Sequence, residues 1–190
     1  MKNSNVFDPK NVDILDAEDR KTWQNPEEIL EAITLDHDYV AADLGCGSGF
    51  FTIPLSRRVK KVYGIDIQKD MLEYLKQKIK REKIDNIELL LSGGDEIPLK
   101  NESVDLMMSA NTLHEFDNKK KIIREIRRVL KDQGKVVVVD FKKKDIGFGP
   151  PVAIRVSRNQ AKHLFEESGF ISLKSKELTY HYLIVFLNSQ

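Results

Sequence analysis

Residues 40–51, Val40-Ala41-Ala42-Asp43-Leu44-Gly45-Cys46-Gly47-Ser48-Gly49-Phe50-Phe51, pass from small apolar side chains to an acid and then to three glycines spaced two apart. With Tyr39 before it, YVAADL reads as a short apolar strand. FFTIPLSRRV resumes as a helix whose Pro54 must sit in the first turn, where a missing N–H costs least. Strand, tight turn and helix open a parallel α/β sheet. The glycine spacing also says what the turn is not built for. In a dinucleotide loop, G-x-G-x-x-G, the third glycine falls one residue later than Gly49 does. The phosphate-gripping G-x-x-x-x-G-K-[ST] pattern fails as well, because Phe50 and Phe51 stand where a lysine and a hydroxyl are needed.

The alternation continues outward from this unit. KVYGIDI is a second strand, and MLEYLKQKIKREK is a helix burying Met71, Leu75 and Ile79 on one stripe. IELLL and SVDLMMSA are the third and fourth strands, and KKIIREIRRVL is a helix expected to end near Gly134. KVVVVDF is so uniformly apolar that both its faces must be covered. After the connection GFGPPVAIR, Ser157 and Gln160 form a capping box for a helix that Gly169 closes. ISLKSKEL and HYLIVFLN complete the chain as a strand pair. Upstream, Asn25-Pro26-Glu27-Glu28 caps a helix carrying Ile29, Leu30 and Ile33. Residues 1–24 read as an arm, anchored by Val6, Phe7, Ile14, Leu15 and Trp23, and residues 25–190 as one domain. The expected fold is a Rossmann-like, doubly wound α/β sheet, mostly parallel with an antiparallel terminal pair. Ligands in such sheets sit beyond the carboxyl ends of the strands, where the strand order reverses.

Composition narrows the class further. The 31 basic and 30 acidic side chains nearly cancel, so no global field draws the chain to nucleic acid or to an anionic membrane. Its one cysteine, Cys46, rules out an internal disulfide and a multi-cysteine metal cage, which fits a reducing compartment. No apolar run approaches the roughly 18 residues needed to cross a bilayer, and no leader-like apolar run opens the sequence. A cytoplasmic protein, monomeric or homodimeric, is expected.

The segment D-L-G-C-G-S-G between strand and helix, followed by a second strand ending G-I-D at Asp66, resembles class I S-adenosylmethionine-dependent methyltransferases, most closely the compact group of ubiquinone- and menaquinone-biosynthesis enzymes. The likeness is good over residues 39–145. It implies S-adenosylmethionine as cofactor, with S-adenosylhomocysteine as product, and a loop of Gly45, Cys46, Gly47 and Gly49 whose backbone lies against the methionine portion. By the same resemblance Asp43 faces the amino-acid end, Asp66 accepts the ribose hydroxyls and Ile67 packs on adenine. Cys46 itself reads as a small packing residue, with no neighbouring cation to activate its thiol. Where the family places an adenine-binding Asp, this sequence has Gly93. Two options stay open: Asp95 replaces it through a shifted loop, or the Gly93-Gly94 backbone recognises adenine. SANTLHEF after the fourth strand would bring Asn111 and Leu113 to the methionine end and turn His114 toward the acceptor.

Methyl transfer from a sulfonium needs a well-placed nucleophile, and a base only where the acceptor must lose a proton. His114 is the best-placed base and Glu115 the next; the competing role for His114 is to orient a loop carbonyl. His37 and His163 need no functional reading, and Asp117-Asn118 reads as a helix cap rather than a metal site. No N-P-P-Y segment marks an exocyclic-amine enzyme, no cysteine follows the fourth or fifth strand to attack a pyrimidine, and one thiol cannot serve arsenite chemistry. Arg20 and Trp23 belong to an arm that tends to lie over the cleft in such enzymes, GFGPP with Arg155 offers an opposite wall, and FKKKD offers local positive charge. A pocket built from such short segments favours a small-molecule acceptor. The competing readings are an rRNA or tRNA methyltransferase and a cofactor-binding domain without catalysis.

Overall fold

A computed structural model describes residues 7–17 and 19–189. The strands are β1 (Val40–Leu44), β2 (Lys61–Asp66), β3 (Ile87–Leu91), β4 (Val104–Ala110), β5 (Leu130–Phe141), β6 (Phe170–Glu177) and β7 (His181–Asn188). The helices are α1 (Val12–Leu15), α2 (Arg20–Trp23), α3 (Pro26–Glu31), α4 (Thr52–Ser56), α5 (Lys69–Glu82), α6 (Lys119–Val129) and α7 (Arg158–Glu167). All seven strands form one sheet in the order β3-β2-β1-β4-β5-β7-β6. Strands β1 to β5 pair in parallel, and β7 runs antiparallel between β5 and β6. The order therefore reverses between β1 and β4, which puts the ligand-binding crevice at the end of β1.

Alternating side chains send the sheet's apolar residues to two layers. Met107, Val136, Val138 and Ile184 pack with Ile122 and Ile126 of α6 and Phe165 of α7; Met108, Val137, Val139 and Leu183 pack with Ile29 and Leu30 of α3 and Leu55 of α4. Val136 to Val139 have no solvent exposure, as their uniform apolarity requires. The expected caps are present: the Asn25 side chain accepts from the Glu27 amide, and Ser157 and Gln160 form the reciprocal box at the start of α7.

Two expectations are corrected. α6 does not run on toward Gly134 but stops at Val129, because the carbonyls of Arg128 and Val129 accept from the amides of Glu102 and Ser103 and the chain then pairs Leu130 with Val104. Gly134 lies inside β5, after Gln133 takes a left-handed φ of 60°. Ile14, read as an arm anchor, is 61% exposed, so the arm is held by other residues. The anchor Val6 lies outside the described residues.

Candidate active site

The turn after β1 is shaped around the end of β2. The amides of Gly45 and Cys46 both donate to the Ile65 carbonyl, at 2.8 and 3.0 Å. Gly45 and Gly49 have φ of 76° and 84°, which L side chains rarely adopt, and a Cβ on Gly45 would strike the side chain of Thr112. The glycines thus leave room for the Thr112 and Leu75 side chains and let the turn hold its left-handed path at the strand-order reversal. Cys46 turns its side chain the other way, into a cluster with Ile53, Leu72 and Leu75, and burial followed by the Asp66 and Asp43 charges pushes its thiol pKa up. Only its backbone belongs to the loop surface.

Two acids stand near the ends of adjacent strands, Asp43 next to last in β1 and Asp66 last in β2. Asp43 is 2% exposed and accepts a 2.6 Å hydrogen bond from the Thr52 hydroxyl. Burial first, and the Asp66 charge after it, push its pKa up to about 6 against the pull of Thr52 and Arg20. Asp66 accepts the Gly47 amide at one carboxylate oxygen and the Gln68 amide at the other, both at 2.9 Å. Each oxygen can accept again. Burial raises the Asp66 pKa more than these amides lower it. Beside it Ile67 is 42% exposed, an apolar surface beyond the strand end. Gly93 and Gly94 have open space around them, and Gly94 has a φ of 96°. Gly93 borders a surface hollow shared with Lys121 and Arg124, and Asp95 lies 3.6 Å from the Lys121 ammonium.

At the end of β4, Asn111 takes a left-handed φ of 58° and forms a reciprocal amide pair with Gln24 of the arm, at 2.8 and 3.2 Å. Leu113 does not offer its side chain to the crevice: it is 1% exposed and packs in the core with Ile97 and Ile123, so only its backbone can border a ligand. His114 is buried, with Nδ1 2.8 Å from Asp140 and its amide 3.2 Å from the same carboxylate. A carboxylate only accepts, so Nδ1 carries the proton and Nε2 is the basic nitrogen. Among the described residues the ring's hydrogen bond is made at Nδ1, to Asp140. Burial lowers the His114 pKa, and the Asp140 hydrogen bond and charge outweigh it, leaving it raised. Burial also pushes the Glu115 carboxyl up to about 7.

The arm lies across these strand ends. Asp16 accepts from the Ser48 hydroxyl, Tyr74 hydroxyl and Lys78 ammonium at 2.8 to 2.9 Å, and Gln68 donates to the Phe7 carbonyl. Arg20 is buried: its guanidinium donates to the Gln24 side-chain oxygen and the Leu15 carbonyl and lies 3.8 Å over the Phe50 ring. Desolvation lowers its pKa to about 10. Trp23 packs against Phe148 and His181. Arg155, expected as a wall, is instead an internal clamp, donating to the carbonyls of Lys142, Lys144, Phe148 and Pro150.

Sequence reasoning missed Asp140, Asp16, Gln24 and His181. Asp140 alone had a signal, an acid closing an otherwise apolar strand. The others acquire their surroundings from segments far away in the chain.

A seven-stranded sheet in this order, with a glycine turn at the switch point and acids near the ends of β1 and β2, defines a class I S-adenosylmethionine-dependent methyltransferase domain. The chain belongs to the methyltransferase-domain family, which it matches over residues 42–138. It is 29% identical to a SAM-dependent methyltransferase from Aquifex aeolicus, superposing with a TM-score of 0.91 over 96% of this chain and 99% of that one. An uncharacterized methyltransferase-like protein of Schizosaccharomyces pombe is 30% identical over 79% of this chain and 56% of its own length. A demethylmenaquinone methyltransferase of Lactococcus lactis is 37% identical over 52% of this chain and 40% of its own length. The chain thus spans about half the length of these curated relatives.

Proposed function

We propose that this chain binds S-adenosylmethionine at the β1 turn and transfers its methyl group to a small-molecule acceptor held beneath the arm. The observation that carries this reading is the turn of Gly45, Gly47 and Gly49 between Asp43 and Asp66. The site fits such a cofactor: the glycine turn lies at the strand-order reversal, Asp66 has lone pairs left for a ribose diol, and exposed Ile67 gives adenine an apolar surface. Asp43, buried close to Arg20, supplies negative charge toward the amino-acid end, while Gly93, Gly94 and Asp95 border the adenine side. Nothing in the turn grips phosphate.

When bound, S-adenosylmethionine supplies a methyl group on a sulfonium whose leaving group is a neutral thioether. The chain's own task is to position the acceptor, exclude water and take up a proton where the acceptor carries one. His114 performs the last task at Nε2, with Asp140 holding the ring's orientation and stabilising the imidazolium that forms. The arm, tied down through Asp16 and the Gln24–Asn111 pair, covers the strand ends and keeps bulk water out.

The relative named for demethylmenaquinone supports a small acceptor, as does a cleft walled by short segments. Incubating the chain with methyl-labelled S-adenosylmethionine and a cell extract, then separating small molecules, RNA and protein, tests the reading. Label in the small-molecule fraction, reduced in His114→Ala, is the expected result. Label confined to RNA or protein contradicts it.

A further inference from the structure

Arg20 is taken out of water without a counter-ion. It is 7% exposed, and among the described residues its guanidinium donates to neutral oxygens alone: the Gln24 side-chain oxygen from Nε and Nη2, at 3.2 and 3.1 Å, and the Leu15 carbonyl from Nη1, at 2.7 Å. Each terminal nitrogen keeps an N–H unused. The two acids whose charges reach it bond elsewhere, Asp16 with Ser48, Tyr74 and Lys78, and Asp43 with Thr52. With a pKa lowered only to about 10, Arg20 is a cation at neutral pH.

A tie between the arm and its neighbours does not need that charge. Methionine would cover the Phe50 ring as well, without the cost of burying an ion. The position of the cation points to a ligand. Its guanidinium lies 3.8 Å over Phe50, which follows Gly49 in the turn, and Gln24, which holds it, pairs with Asn111 just after β4. The turn and the end of β4 border the proposed position of the amino-acid end of S-adenosylmethionine, which carries both an ammonium and a carboxylate. Asp43 answers the ammonium. Arg20 acts beside it with the opposite charge, on an arm that precedes the family-matched residues 42–138.

We propose that Arg20 pairs with the carboxylate of the cofactor's amino-acid end and that this pair fastens the arm over the strand ends, so that release of the cofactor frees the arm. A carboxylate has the geometry to accept N–H groups from both terminal nitrogens of a guanidinium at once. Gln24 carries the constraint on to Asn111, and Trp23, on the same helix as Arg20, is seated with it. The inference rests on the methyl-transfer reading. It adds a residue that recognises the carboxylate and couples cofactor occupancy to the arm.

The full chain is titrated in a calorimeter with S-adenosylhomocysteine, with its decarboxylated analogue, which keeps the amine, and with methylthioadenosine, which lacks the amino-acid end. S-adenosylhomocysteine is expected to bind about 10- to 100-fold more tightly than the decarboxylated analogue. In Arg20→Met that preference should fall to within about threefold, while affinity for methylthioadenosine changes by less than about threefold. At equal occupancy, S-adenosylhomocysteine should slow tryptic cleavage after exposed Lys21 about tenfold more than the decarboxylated analogue does. Equal affinities of the unmodified chain for these two ligands, or equal protection of Lys21 by them, overturns the proposal. So does a preference that survives in Arg20→Met, the result expected if Arg20 only holds the arm together and its loss weakens all three ligands alike. If Arg20→Met fails to fold, the affinities and the Lys21 protection of the unmodified chain still decide. Failure of that chain to bind either S-adenosylhomocysteine or methylthioadenosine would overturn the methyl-transfer reading itself, whereas binding without a preference for the carboxylate overturns the Arg20 pairing alone.

Discussion

Asp43 and Asp66 stand near the ends of neighbouring parallel strands and are both buried, yet their surroundings give them different tasks. Asp66, already anchored by two amides, has capacity left for a diol. A charged hydrogen bond of this kind contributes about 1.5–3 kcal/mol, so Asp66→Ala should weaken S-adenosylmethionine binding by roughly 10- to 100-fold in calorimetry. Asp43 carries a cost in the free protein. Its folded pKa of about 6 lies above its usual 3.8, so the fold favours the protonated acid; the stability Asp43 contributes is fully present below pH 4 and is lost as pH rises through 6. Keeping that carboxylate charged at pH 7.5 costs on the order of 3 kcal/mol. Urea unfolding of the free protein should therefore show Asp43→Asn stabilised relative to the parent at pH 7.5 and not at pH 4, while cofactor affinity falls. At His114 the direction is fixed by Asp140. Activity on an acceptor that must lose a proton requires neutral imidazole and declines as pH falls through a raised pKa; in Asp140→Asn the acid limb of kcat/KM should move to lower pH, with a lower plateau.

The elements that place these residues were legible wherever the information is local. The β1 turn, the stripe on α5, the Asn25 and Ser157 caps and the fully apolar β5 follow from spacing and capping chemistry alone. The end of α6 did not, since it depends on amides from residues 102 and 103 taking its last carbonyls. Leu113 likewise sits in a polar-looking loop, and only the packing of α6 on the sheet turns its side chain inward. The arm showed the residue types for a lid but not their partners: Arg20 and Gln24 are buried by contacts with Phe50 and Asn111 that no local pattern announces. At this scale the glycine turn is the sharpest target. Gly45→Ala joins a left-handed φ to a collision with Thr112, so it should lower stability by about 1–3 kcal/mol and remove cofactor binding, measured by thermal unfolding with and without S-adenosylhomocysteine.

As a whole molecule the chain has a formal charge of +1, and its sheet reverses strand order between β1 and β4. Neither feature calls for a polymer, and cofactor affinity should change little between low and moderate salt, in contrast to the steep dependence of phosphate-backbone binding. A ligand seated against β1, β2, β4 and the arm ties together much of the fold. S-adenosylhomocysteine at about 100 times its Kd should add ~2.7 kcal/mol of stability, raising Tm by about 5–10 °C. The most direct measurement is calorimetry of the full chain against S-adenosylmethionine and, separately, NADH. One S-adenosylmethionine bound per chain, weakened roughly 10- to 100-fold in Asp66→Ala, with no heat from NADH, is the predicted result; binding of NADH without S-adenosylmethionine would contradict the account.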